Sequence, residues 1–244
     1  MSDKEVSKRQ QRKEQIRRKE RRSRLLSIGL ISVGVLFLAF LFIYPSLRPL
    51  GEVETAIEIN YPNTDFNAAG NPDAPIKIEE FADFQCPHCR TFFRNTEKLL
   101  MENYVANGTV HFVFRSFGDF LGPESTAAAE AAYCAGDQDK FWQMQGTIFT
   151  NQGTEPFSNR RLTAFAENIE LNMDEFNDCF NSGKYAELAA QDAIDGLQAG
   201  ATSTPTFILT YVVNGETKTK VIQGAQPYEV FQQEIEAALA EMNQ

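Results

Sequence analysis

Histidine is almost absent from this chain of 244 residues, which has two, His88 and His111. Cysteine is scarce as well, with Cys86, Cys89, Cys134 and Cys179 the full set. Four cysteines are too few to frame a disulfide-built miniprotein, and too few for an all-cysteine tetrahedral zinc site that also leaves a redox pair over. Completing a site on Cys86 and Cys89 would take two further ligands. His111 alternates with apolar neighbours in a strand-like run, and His88, between the two cysteines, is badly placed to chelate beside both sulfurs. No metal is expected. No Gly-rich phosphate loop, Ser-His-Asp set or carboxylate pair stands out, so no bound cofactor is expected either. Internal repeats are missing, and the one low-complexity stretch is the Ala-rich segment 127–132.

Positive charge is lacking over most of the chain and crowded at one end. Residues 1–24 hold eleven Lys or Arg and four acids, a net of +7, which leaves −17 for the remainder of a chain that totals −10. Leu25 to Tyr44 then runs for twenty residues without a charge, Asn, Gln or Pro. At ~1.5 Å per helical residue such a run spans the ~30 Å hydrocarbon core of a bilayer. A cleaved signal peptide would have a shorter apolar core and small residues at its cleavage site. A lipoprotein would need a cysteine near the end of the run, and there is none. The expected division is a basic arm over 1–24 in the cytoplasm and a single transmembrane anchor over 25–44. The rest is then extracytoplasmic, periplasmic or at the cell surface, because Lys and Arg thin out beyond Arg48. A basic segment abutting a membrane helix reads as a topology signal that attracts anionic lipid, and no nucleic-acid partner is expected. Export places all four cysteines where disulfides form and persist.

Residues 45–75 are broken by Pro45, Pro49, Gly51, Pro62, Gly70, Pro72 and Pro75 with asparagines between them, and read as a tether. Residues 76–244 are expected to form one domain. Ile76 to Phe81 alternates as a strand, Thr91 to Val105 carries apolar residues at helical spacing, and Thr109 to Phe117 forms a second strand, giving a parallel strand-helix-strand unit. Residues 123–200, rich in Ala, Glu, Gln and Leu, form a helical insertion. Thr206 to Val213 and Thr217 to Gln223 flank Asn214-Gly215, a strong hairpin signal, and Pro227 to Met242 closes with an amphipathic helix.

The chemistry lies in Cys86-Pro87-His88-Cys89, at the start of the first helix. A cysteine there gains from the unpaired N–H groups and positive dipole end of the first turn, which favour its thiolate. Pro87 at the first helical position loses no needed N–H, and His88 adds a donor or positive charge close to Cys86. Cys86 is therefore the nucleophile and Cys89, on the same face and deeper, the resolving thiol. Stabilising the reduced form makes the disulfide a stronger oxidant, so the pair is biased toward donating it. Phe81, Phe84, Phe92, Phe93, Phe112, Phe114 and Phe117 surround the motif and read mostly as core, with a subset available as an apolar client surface.

Phe84-Gln85-Cys86-Pro87-His88-Cys89 after a strand, then a helical insertion, then Thr204-Pro205-Thr206-Phe207 before a strand, resembles the DsbA-like thioredoxin-fold oxidoreductases over about residues 70–242. The resemblance implies an α/β thioredoxin fold with a helical insertion, here behind a transmembrane helix. It implies a cis Pro205 facing the cysteines, with Thr204 supplying backbone contacts to a substrate strand, and aligns the family's buried acid with Glu80, which could relay the Cys89 proton. It implies unfolded exported proteins as thiol clients and a DsbB-like or VKOR-like membrane protein as reoxidant. Cys134 and Cys179 depart from the simplest two-cysteine members. Both fall in the insertion, where a structural disulfide is favoured over two free thiols or a second redox pair. An extracytoplasmic reductase or isomerase, and a thioredoxin-fold chaperone or adaptor, are the competing readings of function.

Overall fold

The computed structural model describes residues 3–47, 51–118 and 121–243, and separates them into two units, 1–50 and 51–244. Arg48 and Pro49, used above to place the end of the positive charge and the start of a tether, lie outside the described residues. The first unit is one helix, α1 (Asp3–Leu47). The basic arm is helical too, with no break before the apolar run, because its Lys, Arg, Glu and Gln are all strong helix formers and it contains no Gly or Pro. Among the described residues this is the one helix long and apolar enough to cross a membrane, over Gln15–Phe42. The large apolar side chains between Leu25 and Phe42 are mostly exposed, unfavourable in water and natural in lipid.

The second unit is built on five strands in the order β1-β3-β2-β4-β5: β1 (Ala68–Ala69), β2 (Ile76–Ala82), β3 (Val110–Ser116), β4 (Thr206–Val213) and β5 (Glu216–Gln223). Parallel β2 and β3 align Ile76 with Val110 through Ala82 with Ser116. They are joined by α2 (Pro87–Phe92), which continues through a π-helical turn Phe93–Glu97, the short α3 (Lys98–Leu100) and a second π-helical turn Met101–Val105. The helix thus begins at Pro87, before the apolar spacing that reveals it. Strand β4 runs antiparallel to β2 and β5 antiparallel to β4. Their connection needs positive φ at both central residues, met by Asn214 at 53° and Gly215 at 83°.

Both faces of the central strands are covered, which is why β2 and β3 are mostly buried rather than alternating. On one face Phe92 meets Phe112, Phe207 and Phe231, the last from α9 (Tyr228–Met242). The insertion is five helices: α4 (Pro123–Gly136), α5 (Phe141–Thr150), α6 (Asn159–Asn168), α7 (Met173–Ser182) and α8 (Ala186–Gln198). Helix α8 lies against β2 and β3 so closely that a Cβ on Gly196 would come within 2.7 Å of the Phe81 ring and 2.8 Å of the Phe117 ring. Cys134 of α4 is bonded to Cys179 of α7, with Cα atoms 5.8 Å apart.

The expectation of a tether over 45–75 is corrected from Gly51 onward. Val53, Ile59, Tyr61 and Phe66 pack on the core, the Asn151 side chain exchanges hydrogen bonds with the backbone N–H and carbonyl of Glu54, and β1 pairs antiparallel with β3. The segment escaped the sequence pattern because it follows the domain surface without helix or long strand, so its apolar residues have no period. The aromatic client surface is corrected as well. All seven phenylalanines around the motif are buried, between 0% and 4% exposed.

The Cys134–Cys179 bond closes a loop of 45 residues. In the chain-entropy account a loop of that size is worth about 4 kcal/mol. Replacing both cysteines by serine should therefore lower the unfolding free energy of the full chain in detergent by about that amount, read as a shifted urea midpoint; a loss under about 1 kcal/mol would mean the bond does not constrain the unfolded chain.

Candidate active site

Cys86 occupies the N-cap of α2, with extended backbone at φ −74° and ψ 120°, and Pro87 follows at the first helical position. The approach is fixed by Asp83, whose backbone carbonyl accepts from the Cys86 N–H at 2.9 Å. Its buried carboxylate accepts from the Gln85 N–H, the Ser125 hydroxyl and the Leu121 N–H at 2.7, 2.6 and 3.1 Å. From the other side Gln152 donates its amide to the carbonyls of Phe84 at 2.6 Å and Cys86 at 3.0 Å, and is itself held by Arg90. The turn is thus clamped from both sides by insertion residues.

The Thr204–Pro205 peptide is cis and brings the Thr204 carbonyl to 3.4 Å from the Cys86 sulfur, which as a thiol donates to it. Cys86 is 5% exposed and Cys89 is not exposed at all. The Cys86 thiol is lowered to about 5. The Cys89 thiol donating to it is the largest cause; the Thr204 side chain and the backbone N–H groups of Cys89 and His88 add to this, against desolvation. Burial pushes Cys89 the other way, well above the ordinary thiol range, reinforced by its hydrogen bond to Cys86 and by the charges of Cys86 and Glu80. One sulfur is an anion at neutral pH and its neighbour a thiol. His88 is exposed, and its backbone N–H is among the donors to Cys86.

Behind the sulfurs lies Glu80, 1% exposed, on β2 between Phe114 of β3 and Phe207 of β4. Neither of its carboxyl oxygens has a hydrogen-bond partner. Desolvation, then the charges of Glu97 and Cys86, raise it well above the carboxylate range, so it is held protonated. Glu79 points to the opposite face, paired with Lys77 and Arg115.

The sequence reading missed Glu97, 0% exposed, whose carboxyl accepts from the Tyr61 hydroxyl at 3.0 Å and the Gln145 amide at 3.1 Å. Burial raises it to about 7. Its signal was available: Glu97 falls on the helical stripe of Cys89, Phe93, Leu100 and Tyr104, where an acid is out of place. Tyr61, Gln145 and Gln152 carried no comparable signal, since their roles depend on elements that meet only in three dimensions. Among the described residues no group of three or more His, Cys, Asp or Glu is arranged to hold a metal ion.

A two-residue-spaced dithiol at a helix start, facing a cis-proline loop on a sheet of order 1-3-2-4-5 with a helical insertion, defines a thioredoxin-fold dithiol site of the DsbA-like kind. A family model described as Thioredoxin matches residues 63–237, and the chain belongs to that family. The probable disulfide bond formation protein D of Bacillus cereus is 42% identical over 86 residues, 34% of this chain and 39% of that protein. The Na(+)/H(+) antiporter NhaA 1 of Salinispora arenicola is 31% identical over 142 residues, 57% of this chain and 21% of the antiporter. The chain therefore spans about a fifth to two fifths of these curated relatives. Oxidised BdbD from Bacillus subtilis shares the fold at a TM-score of 0.62 and 22% identity, over 77% of this chain and all of that one. Wolbachia pipientis alpha-DsbA1 does so at 0.62 and 22%, over 75% and 94%.

Thiolate absorbance of the reduced chain should titrate with a midpoint of about 5. Cys89→Ala, which removes the leading donor, should raise it by about one unit or more, ~1.4 kcal/mol per unit; an unmoved midpoint would show that Cys89 does not hold the anion. Because the folded value lies below the unfolded one, this stabilisation of the reduced chain is complete above the ordinary thiol range, near 9, and is lost as pH falls through about 5. The stability of the reduced relative to the oxidised chain should thus climb between pH 5 and 9.

Proposed function

We propose that this chain is a membrane-anchored thiol:disulfide oxidoreductase that introduces disulfides into exported proteins through Cys86 and Cys89. The observation that carries the reading is the opposed pair of thiols, an outer sulfur favoured as thiolate and an inner one as thiol, facing Thr204 and cis-Pro205. Low basicity makes Cys86 a good leaving group and stabilises the reduced pair, which makes the disulfide an oxidant.

In the forward cycle a client thiolate attacks Cys86 Sγ of the Cys86–Cys89 disulfide. The Cys86–Cys89 bond breaks, Cys89 leaves with the electron pair and takes a proton, and a client–Cys86 disulfide forms. The client's second thiolate attacks the client sulfur of that bond and Cys86 departs as thiolate, so two electrons pass from client to pair. Thr204 and Pro205 offer backbone to the client strand without a proline N–H to leave unpaired, and Glu80 receives or returns the Cys89 proton. Reoxidation falls to a membrane protein of the DsbB-like or VKOR-like kind. The apolar length of α1 supports a single-pass anchor in the cytoplasmic membrane, which keeps both partners in one plane. The basic residues before it support a cytoplasmic N-terminus and an extracytoplasmic catalytic domain.

A membrane-impermeant thiol reagent applied to intact cells tests topology and direction together, with Cys134→Ser/Cys179→Ser protein isolating the signal. The pair should be labelled only after prior reduction, and Cys86→Ser should abolish client oxidation. Immediate labelling would favour a reductase or isomerase, and client folding that survives Cys86→Ser would favour a chaperone or adaptor.

A further inference from the structure

Cys89 is fully buried, yet each cycle requires it to give up and regain a proton. Glu80 can take that proton but is itself sealed in, with no partner on either oxygen. A route onward begins at Glu97, whose charge bears on Glu80. One Glu97 oxygen, Oε2, is buried without a partner, while Oε1 accepts from Tyr61 and Gln145. The Tyr61 hydroxyl also donates to Gln145 Oε1 at 3.1 Å. Tyr61 lines a cavity of about 630 Å³ beneath the segment 55–64, with Ile59, Phe93, Trp142 and Thr147 among its other walls. Cys89, Glu80, Glu97, Tyr61 and the cavity thus form a series from the buried sulfur to a space large enough for water, whose walls do not include Cys86. Two carboxyl groups buried together, with three of their four oxygens unpartnered and no cation among their hydrogen-bond or ion-pair partners, are costly as mere structure.

We propose that Glu97 is a second proton-carrying acid that acts through Glu80, and that the Tyr61 hydroxyl, held with Gln145 on Glu97 Oε1, passes the Cys89 proton between this acid pair and the cavity. The inference rests on the oxidoreductase reading and names the proton path of its buried thiol. When Cys89 attacks Cys86 Sγ in a mixed disulfide, the Cys89 S–H bond breaks, the Cys86–Cys89 bond forms, and the other sulfur leaves with the electron pair. Glu80 takes the proton on one oxygen as it gives its own to Glu97, the readier of the two to ionise. The titratable groups facing this acid pair are Tyr61 of the leading segment and Cys86 and Cys89 of α2; Gln145 of α5 is the remaining polar partner. Glu97 is a positioning and relay residue, since it touches no reacting sulfur.

The test uses the reduced full-length chain in detergent, with Cys134–Cys179 intact, reacted with an aromatic disulfide whose released thiol is coloured. The first release reports attack by Cys86, and the second reports resolution by Cys89. In the unaltered chain the second phase should rise with pH through an inflection near 7, where the acid pair gains a carboxylate. Glu97→Gln should remove that inflection and slow the second phase about 10-fold or more above it, leaving the first phase unchanged. Tyr61→Phe, which removes a donor that favours ionised Glu97, should move the inflection to higher pH and slow the plateau. A Glu97→Gln profile that matches the unaltered chain at every pH overturns the proposal, as does a parallel change in both phases, which marks a structural role. No coloured release from the unaltered chain would overturn the oxidoreductase reading itself, and this inference with it.

Discussion

Holding one sulfur as an anion 3 residues from another held as a thiol, with almost no water at either, is the constraint on which the rest of the molecule depends. Donors must converge on Cys86 while the acid next to it, Glu80, carries no competing negative charge. The first demand explains why the motif opens a helix and why its N-cap backbone is extended. The second explains the state of Glu80: an acid behind a thiolate is tolerable only if neutral, and an apolar strand environment without donors makes it so.

The insertion is more than a lid on the sheet. Ser125 and Gln152, from its first helix and from the turn after its second, hold Asp83 and the carbonyls of Phe84 and Cys86. The geometry of the dithiol turn is therefore set jointly by the parallel strand unit and by residues up to 68 positions away. Cys134–Cys179, the close contact at Gly196 and the aromatic packing of Phe84 on Phe114 and Phe149 keep that second support in place.

Most of the architecture could be read from local signals. Strand alternation at 76–81, Asn214-Gly215 and the composition of 123–200 located the elements, because each is a repeated pattern with one physical cause. The sulfur chemistry was legible for the same reason, since Cys86, Pro87 and Cys89 act through the first turn of a helix that contains them. Legibility failed where contacts are long-range and aperiodic. Residues 51–67 look like linker because Pro and Asn fix their path while irregularly spaced Val53, Ile59, Tyr61 and Phe66 do the packing. Glu97 was visible as an acid on an apolar stripe, but its partners Tyr61 and Gln145 come from segments 36 and 48 residues away.

The covalent link between α4 and α7 has a consequence of another kind. Under the proposed oxidase function, a chain that itself carries the Cys134–Cys179 disulfide would be, when newly synthesised, one of its own substrates. Mature copies would then supply the bond that completes the next ones, and the population would have the logic of self-propagation: a compartment stripped of active molecules, or of other oxidants, would restart slowly and then accelerate.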